Sequence, residues 1–205
     1  MDTLQSLGGS ISKKGAVCKQ VGETLANPDD LESLYYAVQV ASSLGCLKGP
    51  GGSAIELITN AVEQSNVPSS LFFAINSGLV LKENKLFSKL DTGSFEGVVE
   101  TLVERFDEEL SPREAGFAFS TAALIARSVK LGEDASTSLG IIGELVFDVL
   151  SESEEQDDGS VCFREGDLSS TLETTAIVLR GIVELDEVHS LDLPSVRGLA
   201  AMFFC

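Results

Sequence analysis

The sequence predicts an all-α protein, a row of αα-hairpin repeats that winds into a superhelix or an incomplete αα toroid of about nine helices. Three observations carry this expectation. One pattern occurs four times, as DLESLYYA at 30–37, VPSSLFFA at 67–74, SPREAGFA at 111–118 and SSTLETTA at 169–176. Helix stop-and-start signals fall between the apolar periods, and almost nothing reads as strand. In each copy of the pattern, helix-starting residues lead to a bulky or β-branched side chain and then an alanine. These pairs, Tyr36-Ala37, Phe73-Ala74, Phe117-Ala118 and Thr175-Ala176, are the expected repeat core, and their alanines lie 37, 44 and 58 residues apart. Steps near 40 residues suit stacked helix pairs, because one pair cannot bury its apolar stripe alone.

Each element follows from local chemistry. A first helix is expected over 11–25, with Val17, Val21 and Leu25 on one face. Asn27-Pro28-Asp29-Asp30 stops it, since proline has no amide to donate and aspartate accepts from the first free amides of the next helix. That second helix covers 31–44, with Leu34, Val38 and Ala41 on one side and Gly45 as its stop. Gly49-Pro50-Gly51-Gly52 reads as a linker, and Ser53 as the N-cap of a third helix ending near Gln64. A fourth helix follows Asn66-Val67-Pro68-Ser69 and runs to about Leu81, leaving 82–89 as a short helix or a loop.

Asp91-Thr92-Gly93-Ser94 leads into a helix ending near Glu109, and Ser111-Pro112 starts the next, which extends to Val129. Its many small residues predict close approach by neighbours. Glu133-Asp134 opens a further helix reaching Val149. The acidic run SESEEQDD at 151–158 and the residues Val161-Cys162-Phe163 form an acidic loop and short extended turn over 151–166. A long helix over 169–185 and one starting at Pro194 complete the chain. The whole of 1–205 is expected to be a single helical-repeat domain, a fragment truncated at both ends, because LAAMFFC at 199–205 would leave an apolar face without a polar cap.

Composition excludes some function classes. With 32 acidic and 14 basic residues the net charge is −18, so phosphate backbones and anionic lipid surfaces are repelled and nucleic acid is not an expected partner. No apolar run approaches the roughly 20 residues that span a bilayer. The four cysteines, Cys18, Cys46, Cys162 and Cys205, show no CxxC spacing and have one histidine for company, which argues against structural zinc. In an antiparallel pair turning near Asn27, Cys46 would stand about 13 Å beyond Cys18 at 1.5 Å per residue. A bridge between them would need the first helix bent or broken at Gly15 or Gly22, and free buried thiols are the reading of spacing alone.

No catalytic residue, cofactor or metal ligand emerges. His189 reads as a surface histidine near a helix end. Gly49 to Gly52 lack the Lys-Ser or Lys-Thr of a phosphate loop. Asp158-Gly159 with Glu165 imitates part of a calcium loop, but Glu154, Gln156 and Cys162 stand at ligand positions that the pattern does not allow. Tyr35, Tyr36, Phe72, Phe73, Phe117 and Phe119 read as core. The alternative is that they line an αα toroid domain binding an apolar ligand such as a prenyl chain, or an enzyme built on that fold.

Some of these residues also resemble a known family. Lys13-Lys14 to Cys18, LESLYYA at 31–37 and SLGC at 43–46 resemble the N-terminal helical region of the ribophorin II family, in collinear order. So do Asn66-Val67 with SLFFA at 70–74, and GSVCFREGDLSSTLETTA at 159–176. The resemblance implies a non-catalytic subunit of the endoplasmic-reticulum oligosaccharyltransferase, the complex that transfers a dolichol-linked glycan to asparagine. It further implies a scaffold on the lumenal side that contacts other subunits and incoming polypeptides. Membrane association would come only through regions absent from this chain. The family carries cysteines at positions like Cys18 and Cys46, so in an oxidising lumen the resemblance implies a Cys18–Cys46 disulfide as the alternative to free thiols.

Overall fold

The computed structural model describes residues 2–88, 90, 92–106, 108, 110–155, 161–164 and 166–191, with side chains from Lys13 onward, that of Leu168 excepted. The fold is all-α. Its helices among these residues are α1 (Asp2–Ala26), α2 (Leu31–Ser43), α3 (Gly52–Gln64), α4 (Pro68–Glu83), α5 (Phe95–Phe106), α6 (Pro112–Ser128), α7 (Glu133–Ser151) and α8 (Leu168–Asp186). A two-stranded antiparallel sheet of β1 (Glu154–Glu155) and β2 (Val161–Cys162) joins α7 to α8. The helix expected from Pro194 lies outside the described residues. Residues 84–88 form a turn and not a helix.

The chain forms two compact units, one of Met1–Ser65 with Phe73–Asp91, the other of Asn66–Phe72 with Thr92–Cys205. In the first unit, α1 runs unbroken through Gly15 and Gly22. Of its expected apolar face, Leu25 is buried, Val21 half-buried and Val17 exposed. Asp30 caps α2 by accepting from the Ser33 amide at 2.7 Å, while the Ser33 hydroxyl accepts from the Asp30 amide. Those contacts with the Ser33 backbone and hydroxyl hold the Asp30 carboxyl below its ordinary 3.8. The helix buries Leu34, Ala37, Val38 and Ala41.

Gly45, at φ 66°, ends α2. The Cys46 amide bonds back to Ala41 O and the Gly45 amide to Ser42 O, the paired bonds of a Schellman turn. Lys85, at φ 60°, ends α4 in the same way, with Leu86 bonded to Leu81 and Lys85 to Lys82. The reversal at Gly45 places Cys46 beside Cys18, and the two form a disulfide with Cα atoms 6.1 Å apart. The expectation of free thiols at these positions is therefore corrected. Helical rise stops applying at Ser43, and the chain turns back toward an unbroken α1. Cys162 is also disulfide-bonded, and no free cysteine stands among the described residues.

The glycine-rich stretch after this turn closes α1. The Gly51 amide donates to Leu25 O and the Ser53 hydroxyl to Ala26 O, which satisfies carbonyls that a helix end leaves open. A Cβ on Gly51 would fall 2.0 Å from Ala26 O, so only glycine fits. Across the layer, α2 and α4 run parallel. Tyr35 packs on Phe73 at 5.3 Å, and one turn later Gln39 Nε2 donates to Asn76 Oδ1 at 2.7 Å.

The second unit is built on α6, in which every residue from Ala115 to Ala123 is buried. The first residues of α4 run parallel to it, with the Ser69 amide donating to Glu114 Oε2 at 2.9 Å and Phe72 packing on Phe117. On another side α8 runs parallel to α6 and touches it backbone to backbone. A Cβ on Gly181 would lie 2.3 Å from Gly116 O, and one on Gly116 would lie 2.8 Å from the Val178 N and Cα atoms. Two ion pairs clasp the ends of this crossing. Arg113 meets Glu173 at 2.8 Å, and Arg127 meets Glu187 while donating to Glu184 O at 2.9 Å. Helices α5 and α7 neighbour each other and α6, and Glu96 of α5 accepts from the Gly132 amide that opens α7. Asp167 caps α8; accepting from the Ser170 amide and hydroxyl holds its carboxyl below 3.8.

Three outcomes follow from this packing. Gly181→Ala and Gly116→Ala force backbone apart, so each lowers the unfolding free energy by about 1–3 kcal/mol. Gly140→Ala on α7, where a Cβ meets nothing within 4 Å, raises it by about 0.5–1 kcal/mol; chemical denaturation measures all three. Reducing the Cys18–Cys46 bridge releases a loop of sequence separation 28, which costs the first unit about 3 kcal/mol, and alkylation without reduction labels neither cysteine. For Asp30 and Asp167 the folded carboxyl titrates below its unfolded value. Their stabilisation is therefore full above pH 3.8 and is lost as pH falls through the lower folded values. The Asp30→Asn, Asp167→Asn double variant keeps both caps, and its melting temperature falls less steeply below pH 3.8 than that of the parent.

Candidate interaction surfaces

The connection between α7 and α8 is the most elaborated segment of the chain, and one buried side chain anchors it. Thr175 Oγ1 accepts from the Phe163 amide at 3.1 Å and donates to Thr171 O at 2.8 Å. Phe163 is fully buried and Cys162 nearly so, which fixes β2 against α8. Strand β1 pairs Glu154 with Cys162 and Glu155 with Val161, and Arg164 reaches Glu154 at 3.5 Å on the exposed side. The acidic residues of the pair face solvent. Residues 156–160 and Glu165, which include most of the calcium-like pattern, lie outside the described residues. Among those described, no group of three or more His, Cys, Asp or Glu is placed to hold a metal.

His189 is half-buried beyond α8, and its ring lies over Gly143 of α7, where a Cβ would come 2.8 Å from its Cδ2 atom. It acts as packing against a glycine, in place of the free surface side chain that the sequence suggests. The Gly49-to-Gly52 stretch is likewise structural, spent on capping α1.

Of the residues expected in the repeat core, Ala37, Phe73, Ala74, Phe117, Ala118 and Thr175 are buried. Tyr36 and Ala176 are not, and these two expectations are corrected. Phe73 packs back on Tyr35 of α2 and Phe117 on Phe72 of α4, so in the second and third copies the bulky residue rests on the parallel helix before it. Among the described residues no parallel helix precedes α2, and Tyr36 meets Tyr35 by one edge while 54% exposed. Ala176 is exposed because α8 is buried along Thr171, Thr174, Val178, Ile182 and Leu185, and Ala176 points the opposite way at 100° per residue. Helix α6 is covered all round, so register matters less there.

The aromatic set is packed on itself and on cations. Phe106 stacks on Phe119, Arg180 lies 5.2 Å over the Phe72 ring and Arg113 5.9 Å over Phe117. What stays open are helix faces. In the first unit, Tyr36 and Val40 lie one turn apart on α2. In the second, α8 carries Leu172, Ala176, Leu179 and Val183 along one line, with Leu172 43% exposed. On α7, Ile141 and Phe147 stand in solvent. Large exposed apolar side chains grouped on helix faces mark contact surfaces more often than chemistry. Sequence reasoning missed Val40, Ile141, Phe147 and the α8 line, because an apolar residue at helical spacing reads as core.

What these surfaces share is large apolar side chains left exposed on helix faces. No curated protein and no solved structure matches the chain. The model of the ribophorin II N-terminal domain matches residues 1–203. The chain therefore belongs to the ribophorin II family, of which it carries the N-terminal domain.

Proposed function

We propose that this domain is a non-catalytic interaction subunit of the endoplasmic-reticulum oligosaccharyltransferase, contributing a lumenal helical scaffold to protein N-glycosylation. The family match across residues 1–203 carries this reading. Its partners are other subunits of that complex and incoming polypeptides, and glycan transfer takes place in a different subunit. The disulfide between Cys18 and Cys46 suits an oxidising lumen. Exposed apolar side chains on helix faces, such as Tyr36 with Val40 and Leu172 on α8, suit protein contacts. No helix among the described residues is long and apolar enough to cross a membrane.

Crosslinking the full-length protein in native membranes, followed by its isolation, tests this reading. Recovery of the glycan-transfer subunits at near-stoichiometric levels is the expected result. Their consistent absence, with the protein itself recovered in good yield, overturns it.

A further inference from the structure

Helix α7 combines two features on one outer face. Ile141 and Phe147 are large apolar side chains left 41% and 50% exposed. Between and beside them stand Glu144, Asp148 and Glu152, all exposed and spaced four residues apart. On a helix, positions three, four and seven apart are neighbours, so Ile141, Glu144 and Asp148 share a face and Phe147 borders it across from Ile141. The helix contains no lysine or arginine, and neither Glu144 and Asp148 nor Glu152, which caps its end, enters an ion pair among the described residues.

This arrangement is unfavourable in the isolated domain. Like charges one turn apart repel, and the carbonyl end of the helix, where Asp148 and Glu152 lie, already carries negative potential. Exposed Glu154 and Glu155 follow directly. A cation brought to this face relieves that repulsion, and an apolar side chain beside it removes Phe147 and Ile141 from water. Both requirements are met by one type of ligand.

We infer that the outer face of α7 is a docking surface for a basic amphipathic segment of another polypeptide. Lysine or arginine side chains of the segment pair with Glu144, Asp148 and Glu152, and its apolar side rests on Phe147 and Ile141. Charge complementarity names the occupant, because an acidic or neutral segment would leave the repulsion in place. The inference rests on this surface alone and stands independently of the assignment to the glycosylation complex.

Fluorescence anisotropy on the 205-residue chain, with a labelled lysine–leucine amphipathic helical peptide near physiological salt, tests it. The peptide binds the parent chain, and E144Q/D148N/E152Q weakens binding by about tenfold. F147S leaves the charge unchanged and weakens binding by about fivefold. E56Q/E63Q/E83Q removes three exposed acids from the first unit and stays within about twofold of the parent. Circular dichroism melts verify that each variant is folded. The inference is overturned if the parent fails to bind, if the control triple loses as much affinity as the α7 triple, or if F147S binds as the parent does. Self-association that F147S abolishes, in place of peptide binding, names a second copy as occupant and also overturns it.

Discussion

The backbone contact between α6 and α8 sets the geometry on which the second unit depends. Two parallel helices approach this closely only where neither carries a side chain at the crossing, and Gly116 and Gly181 meet that condition. Neighbouring Ala115, Ala118, Ala122 and Ala123 keep the rest of α6 narrow enough for α4, α5, α7 and α8 to reach it. The Arg113–Glu173 and Arg127–Glu187 pairs then fix the register from either end. Each is half exposed and stabilises little by itself, so their role is alignment and the buried crossing supplies most of the free energy. With α8 held there, Thr175 can reach Phe163, and the α7–α8 connection acquires its anchor.

The first unit meets the same problem with larger residues. Helices α2 and α4 are separated by Tyr35 and Phe73 and joined by the Gln39–Asn76 amide pair, which requires a wider spacing than a glycine crossing. Covalent closure compensates for the looser contact. The Cys18–Cys46 bridge ties the loop after α2 to α1, and Gly51 and Ser53 seal the end of α1. The start of α2 and the ends of α1, α2 and α4 are thus satisfied by a cap, a turn or a neighbouring element, which limits fraying there.

Helix boundaries were legible where a single residue decides them. Asp30, Gly45, Ser111 and Pro112 act through caps and backbone dihedrals that need no knowledge of the rest of the fold. The crowding of small residues on α6 also announced close packing. Tyr36 and Ala176 misled because burial depends on what flanks the position: among the described residues no parallel helix precedes α2, and Ala176 lies opposite the buried line of α8. Spacing alone does not reveal the disulfide, because helical rise ends at Ser43 and the left-handed Gly45 turns the chain back. The exposed faces of α2, α7 and α8 were the least legible part. An apolar residue on a helix reads as core until the structure shows that nothing covers it.

Glycines at the α6–α8 crossing let the core of the second unit close, and the faces of α2, α7 and α8 carry exposed apolar side chains. The α6–α8 crossing is the part of that description most open to direct measurement. Native-state hydrogen exchange along a denaturant series follows the amides of both helices at once. If the crossing organises the second unit, the central amides of α6 and α8 exchange through one shared opening, with the same free energy and the same denaturant dependence. Exchange of the central α8 amides through a separate, lower-energy opening, while α6 stays protected, would contradict it.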